Sequence, residues 1–115
     1  MQRMKQFVMI VLILTLSVTM PVQAKQEKEY LGKFTCYAYA GAGTTASGTK
    51  TTAGRTIAVD PKVIPLGSKV VINGETYTAE DTGGAIKGKK VDIFVSSEKE
   101  ARKFGVRKLK VYLVK

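Results

Sequence analysis

The chain has 115 residues, a formal charge of +10, one cysteine and no histidine. Without histidine, Ser-His and Cys-His nucleophilic catalysis and His-ligated zinc hydrolysis are excluded, and one thiol can form neither an intrachain disulfide nor a Cys-based metal site. The excess of positive charge favours polyanions as partners.

Arg3 and Lys5 precede an uncharged apolar run from Phe7 to Met20, and Val22-Gln23-Ala24 places small residues at a cleavage position. This pattern predicts a secretory signal peptide over residues 1–24, cut after Ala24 and leaving no stable membrane anchor. The apolar run is shorter than the ~20 residues a spanning helix needs. About 91 residues then remain, enough for one small core. An exported basic domain meets wall polymers and anionic lipid before it meets nucleic acid, so the expected localisation is secreted or cell wall-associated.

Residues 25–29 form a polar lead-in to a domain over 30–115. Strand signals run from Tyr30 through Phe34, Cys36 and Tyr37 toward Tyr39, with Cys36 as a small buried strand residue. Gly41 to Gly54 is rich in Gly, Thr, Ser and Ala, which predicts a surface loop of functional length. Thr56 to Val59 is a short strand ending at the turn Asp60-Pro61, and Lys69 to Ile72 leads into the hairpin turn Asn73-Gly74. On the return strand, Thr76, Thr78 and Glu80 alternate against Tyr77 and Ala79.

Asp81 and Asp92 then bracket a Gly-Lys loop in which Gly83-Gly84 are expected to turn with positive φ. Asp92 lies in the apolar run Val91-Asp92-Ile93-Phe94, where a carboxylate is costly without partners or a task. Taken alone, these residues leave two readings open: an active-site loop, or a turn-forming Asp81 beside a solvent-facing Asp92. Ser97 and Glu100 make a capping box for one short helix that Gly105 can end in the left-handed conformation. Leu109, Val111 and Leu113 alternate with Lys108, Lys110 and Tyr112 in a last strand. Six short strands and one helix imply a mainly β fold, and a closed barrel removes the exposed edges of so short a chain.

Two glycine motifs carry no function. Gly83 to Lys89 fits the spacing GxxxxGK, but Lys90 stands where Ser or Thr should hold magnesium and a strand follows. Gly41-Ala42-Gly43 is followed by a Thr-rich segment with no helical period. The sequence also lacks the alternating acidic loop of a calcium site, so neither metal nor cofactor is expected.

The words TASG (Thr45 to Gly48), IAVDPKVIPLGSKV (Ile57 to Val70), AEDTGGAIKG (Ala79 to Gly88) and VDIF (Val91 to Phe94) together resemble the 3D domain family, named for three aspartates. The resemblance implies a double-psi β-barrel like that of the MltA-type lytic transglycosylases and the stationary-phase-survival proteins. It implies a peptidoglycan lytic transglycosylase that cleaves the MurNAc-GlcNAc bond to a 1,6-anhydromuramoyl product. Asp92 takes the catalytic position, with Asp81 and Asp60 as neighbours in the cleft. Thr45, Ser47 and the Gly83-Gly84 backbone are implied to line the glycan groove, and Tyr37 is a candidate for stacking on sugar rings.

Peptidoglycan strands are the expected partner, with anionic wall polymers as a further one. Lys87, Lys89 and Lys90 are expected to point outward toward that material. Two alternatives stay open on chemistry: a noncatalytic peptidoglycan-binding module, and a glycoside hydrolase using Asp92 and Asp81 as a carboxylate pair.

Overall fold

The computed structural model describes residues 26–115. The leader expected over residues 1–24 lies outside the described residues. Six strands close into a barrel: β1 (Lys28–Tyr39), β2 (Thr56–Ala58), β3 (Lys69–Ile72), β4 (Glu75–Asp81), β5 (Lys90–Phe94) and β6 (Arg107–Val114), with one helix, α1 (Glu98–Phe104). Around the ring the order is β1-β5-β2-β4-β3-β6. The pairs β1/β5 and β2/β4 are parallel, and the other four are antiparallel. Among the described residues the expected six-stranded barrel with one helix is therefore the observed fold. Strand β1 begins at Lys28, so it takes in part of the predicted lead-in.

Alternation sorts each strand into an inner and an outer face. Phe34, Cys36, Ile57, Val59, Val70, Ile72, Ala79, Val91, Ile93 and Val111 fill one buried core. Cys36 is fully buried, and burial pushes its thiol up to about 11, which makes it an inert core residue. Asn73 (φ 53) and Gly74 (φ 82) turn the β3-β4 hairpin as their sequence demands.

Helix α1 starts as predicted, the Ser97 hydroxyl accepting from the Glu100 amide at 3.1 Å. The Glu100 carboxylate accepts from the Ser96 hydroxyl at 3.2 Å, so the cap is not the full reciprocal box. Gly105 ends the helix with φ 68 but ψ −138, outside the left-handed helical region that was expected.

Strand β4 departs from simple alternation. Thr56 pairs with Thr78 and Ile57 with Ala79, but Ala58 pairs with Asp81, leaving Glu80 as an extra residue. An unbroken period of two would put Asp81 on the inner face with Tyr77 and Ala79. The one-residue slip at Glu80 carries it to the outer face instead.

Candidate active site

Strands β4, β2 and β5 are neighbours, and one row of their outer face holds the acidic pair. Ala58 pairs with Asp81 on one side and with Asp92 on the other, while Asp92 pairs across β5 with Tyr37 of β1. The row Tyr37-Asp92-Ala58-Asp81 thus spans four adjacent strands. Ala58 is the small residue in the middle, so the two carboxylates flank it with about 10 Å between their backbones.

Asp92 lies in a cleft of about 380 Å³ lined by Tyr37, Ala38, Ala85, Ile86, Lys90 and Asp92 itself. Its Oδ1 is buried and has no hydrogen-bond partner. Burial raises the Asp92 carboxyl to about 6, and the nearby charge of Asp81 pushes in the same direction. A buried carboxyl oxygen without a donor disfavours the anion, so this geometry keeps a proton within reach of neutral pH.

Asp81 is well supplied with hydrogen-bond donors. Its Oδ1 accepts from the amides of Ala46 and Thr82, both at 2.9 Å, and its Oδ2 accepts from the Tyr39 hydroxyl at 3.2 Å. Burial and the charge of Asp81 hold the Tyr39 phenol well above its ordinary range, so it stays a donor. The Tyr39 ring packs edge-on against Phe94 with centroids 5.4 Å apart, which fixes the hydroxyl over Asp81.

Asp60 has hydrogen-bond partners of its own. Its Oδ2 accepts from the Gly88 amide and its Oδ1 from the Lys62 amide, at 2.9 and 3.0 Å. Those two amides, Gly88 first, hold the Asp60 carboxyl below the usual carboxylate range. It ties the β2-β3 turn to the loop over residues 82–89, and that loop supplies Ala85 and Ile86 to the cleft wall.

The loop over residues 41–54 is folded back on the barrel. The Thr45 hydroxyl is within 2.7 Å of the Thr49 hydroxyl and accepts from the Thr49 amide at 3.1 Å. Thr45 is buried and Ser47 exposed. Ser47 donates its amide to the Glu80 carbonyl at 3.0 Å, and the neighbouring Ala46 amide is the one on Asp81. The TASG word is thereby brought to Asp81 mainly through its backbone.

Gly83 and Gly84 neither turn with positive φ, contrary to expectation; in this loop Gly88 does so, at φ 69. Gly83 is needed for closeness instead. A Cβ there would sit 3.0 Å from Ile86 Cγ1, whereas one at Gly84 would meet nothing within 4 Å. Lys87 and Lys89 are exposed as expected, but Lys90 is half-buried and lines the Asp92 cleft. It shares the outer face of β5 with Asp92 because the two are one pleat repeat apart.

Glu80 was not singled out from sequence as a site residue. It is 5% exposed, and it accepts from Thr49 Oγ1, Arg55 Nε and Thr56 Oγ1, each at 2.8 Å. Burial pushes its carboxyl upward, but these three donors outweigh it and the net direction is down. The visible signal was a second carboxylate adjacent to Asp81 in a β-patterned run. Its role as the clasp of the 41–54 loop needed the bulge to be seen.

Residues 55–115 match the 3D domain, more than half of the chain. The chain belongs to the 3D domain family. Over 73 residues it is 52% identical to YocH of Bacillus subtilis, named a cell wall-binding protein, covering 60% of this chain and 25% of that one. Among solved structures, MltA of Escherichia coli, described as having a lytic transglycosylase fold, aligns with TM-score 0.54 and 25% identity over 65% of this chain and 28% of its own. The lytic transglycosylase LtgG of Burkholderia pseudomallei aligns with TM-score 0.55 and 28% identity over 63% of this chain and 26% of its own. The 3D domain chain thus spans between a quarter and a third of each of these proteins.

Proposed function

We propose that this 3D domain is a peptidoglycan lytic transglycosylase in which Asp92 is the single catalytic acid and base. The observation that carries the reading is the Asp92 carboxyl itself, raised to about 6 on the wall of an open cleft with one buried oxygen unpartnered. Glycosidic cleavage first needs a proton donor, and a carboxyl titrating near 6 is protonated in roughly one molecule in ten at pH 7.

In the first step Asp92 gives its proton to the oxygen between MurNAc C1 and GlcNAc, and that bond breaks as positive charge develops at C1. The negative charge of Asp81 across Ala58 favours this transition state over the neutral ground state. In the second step the Asp92 carboxylate takes the proton of the muramoyl C6 hydroxyl, whose oxygen bonds to C1. The product is the 1,6-anhydro ring; Asp92 ends protonated and no water is consumed.

Tyr37, Ala38, Ala85 and Ile86 give the cleft the apolar faces that sugar rings stack on. Lys90 supplies a cation for the carboxylates of the glycan strand's substituents. Asp60 has both carboxyl oxygens committed to amides, so its part is to hold the 82–89 wall in place. In this reading Asp60 is a positioning residue, and the substrate contacts of the 41–54 loop come from its exposed Ser47 rather than from Thr45.

Mass spectrometry of the products formed from purified peptidoglycan tests this. Anhydromuramic ends that disappear with Asp92→Asn support the transglycosylase, and reducing ends would replace it with a hydrolase. A second reading is favoured by the name of YocH: a cell wall-binding module using the same cleft. Retention on peptidoglycan without cleavage, lost when Tyr37 and Lys90 are replaced, would establish that reading instead.

A further inference from the structure

The barrel carries a second cleft, of about 360 Å³, lined by Lys33, Val71, Asn73, Gly74, Lys108, Leu109, Lys110 and Tyr112. In the closed ring β6 lies across the barrel from β2, the strand between Asp81 and Asp92. The second cleft therefore opens on the back of the molecule.

Its construction works against the folded chain's own electrostatics. Lys33 and Lys110 are direct cross-strand partners, so two ammonium groups share one face at one rung of the β1/β6 ladder. Like charges opposite one another repel. Lys108 stands one pleat repeat further along the same outer face, opposite Thr35. None of the lining residues is acidic, and the two ion pairs among the described residues, Arg55–Glu80 and Lys115–Glu29, involve none of these lysines. The apolar part of the floor is made by Val71 and the Tyr112 ring, which leans on Tyr30 at 5.2 Å.

We infer that this back cleft binds a cell-wall polymer of phosphodiester-linked polyol units. A phosphodiester placed between Lys33 and Lys110 removes their repulsion, and Lys108 takes the next phosphate along the strand. Lysine binds phosphate as a point charge, and lysines one pleat repeat apart, about 7 Å, match a polymer that carries one charge per short repeat. The carbon chain between phosphates lies on Val71 and Tyr112. Tyr112 is the one aromatic ring in this lining, so successive bases of a nucleic acid have no stacking platform. Two ligands are thus separated by the barrel: the glycan strand at Asp92, and the anionic polymer behind it.

The test titrates purified poly(glycerol phosphate) into the protein, its triple variant Lys33→Gln/Lys108→Gln/Lys110→Gln, and a control of equal charge, Lys62→Gln/Lys99→Gln/Lys103→Gln. The back-cleft triple is expected to lose at least about tenfold in affinity, and its slope of log affinity against log salt should fall by about two. The control should keep most of its affinity. Equal losses in both triples would reduce the site to net charge and overturn the inference. So would tighter binding to phosphatidylglycerol vesicles or to single-stranded DNA than to the polymer. Unchanged thermal unfolding of the back-cleft triple, or a rise from relieved repulsion, excludes misfolding as the cause of the loss. Asp92→Asn should bind poly(glycerol phosphate) like the unsubstituted protein, so failure of the proposed catalysis and failure of this site are separately visible.

Discussion

Asp81 and Asp92 pair with the same residue, Ala58, from opposite sides of β2. They share the outer face, yet their environments differ. Asp81 accepts three hydrogen bonds, while one oxygen of Asp92 is buried with none. Asp92 is the one of the two whose surroundings favour holding a proton.

The pH dependence of turnover follows from the Asp92 carboxyl. Cleavage begins with Asp92 protonated, so kcat should fall as pH rises through about 6. Replacing Asp81 by Asn removes a like charge and should move this limb to lower pH, which a pH profile of product formation reads directly. A limb that stays in place would remove Asp81 from the electrostatics of the site.

Stability should move with the same proton. The folded carboxyl of Asp92 titrates near 6 against an ordinary value of 3.8, so the folded state binds more protons across that window and loses stability as pH rises through it. Asp92→Asn removes this loss and should stabilise the protein at pH 7 by about 1–2 kcal/mol, after allowance for solvent screening at a half-buried site. Denaturant unfolding at pH 4 and pH 7 checks it: the gain should be present at pH 7 and nearly absent at pH 4.

Glu80 carries the opposite sign. Its carboxyl is held below the ordinary 4.5, so its contribution is complete above that pH and is lost as pH falls below it. Glu80→Ala leaves the hydroxyls of Thr49 and Thr56 and the Arg55 guanidinium without their acceptor, and should cost about 2 kcal/mol. The 41–54 loop should also lose amide protection against hydrogen exchange, because the Glu80 carboxylate holds it through the Thr49 hydroxyl, which in turn meets Thr45. Protection unchanged at residues 44–51 would mean that Asp81 and the Glu80 backbone carbonyl anchor the loop without the Glu80 carboxylate.

These relationships were unequally legible in the amino-acid sequence. Asn73-Gly74, Ser97 as an N-cap and the alternation of β6 are local signals that the structure follows, although the Glu100 side chain turns to Ser96 instead of closing the box. Asp92 was conspicuous because a carboxylate between Val91 and Ile93 breaks an apolar run. Its relation to Asp81 came only through the resemblance to the 3D domain and not from local pattern, because β2 enters the ring between β4 and β5 through nonlocal pairing. No short-range pattern specifies that insertion. The bulge at Glu80 was hidden for a related reason: a period of two assigns faces only while the register is unbroken. One extra residue reversed the face of Asp81 and made Glu80 a clasp. Asp60 was legible as an aspartate before a proline, but its hydrogen bond to Gly88 crosses 28 positions of sequence.

Asp60 should separate from Asp92 in kinetics. Both of its oxygens are on backbone amides, and an asparagine keeps one acceptor while turning the other toward a donor. Asp60→Asn should therefore loosen the 82–89 wall, raise KM and reduce kcat by less than about tenfold, whereas Asp92→Asn should lose about a hundredfold or more. Equal losses in kcat, with unchanged KM, would place Asp60 among the reacting groups.

Gly83 and Gly84 give a paired test of the cleft wall in which the chemical change is the same. Neither has a positive φ, so alanine meets no backbone strain at either position and the outcome depends on space alone. At Gly83 the new Cβ would stand 3.0 Å from Ile86 Cγ1, and Ile86 is 8% exposed and cannot retreat without opening the cleft. The Ile86 amide also donates to the Gly83 carbonyl at 3.0 Å, so shifting the side chain strains that turn. Gly83→Ala should cost about 1–2 kcal/mol by overpacking and should lower kcat/KM through the displaced Ile86. At Gly84 nothing lies within 4 Å, and alanine there restricts only the unfolded chain. Gly84→Ala should be neutral or stabilising by up to about 1 kcal/mol, with activity intact. Thermal unfolding and glycan turnover of the two variants check this together, and a Gly84 variant that loses activity at full stability would show that its backbone, rather than Ile86, is what the substrate touches.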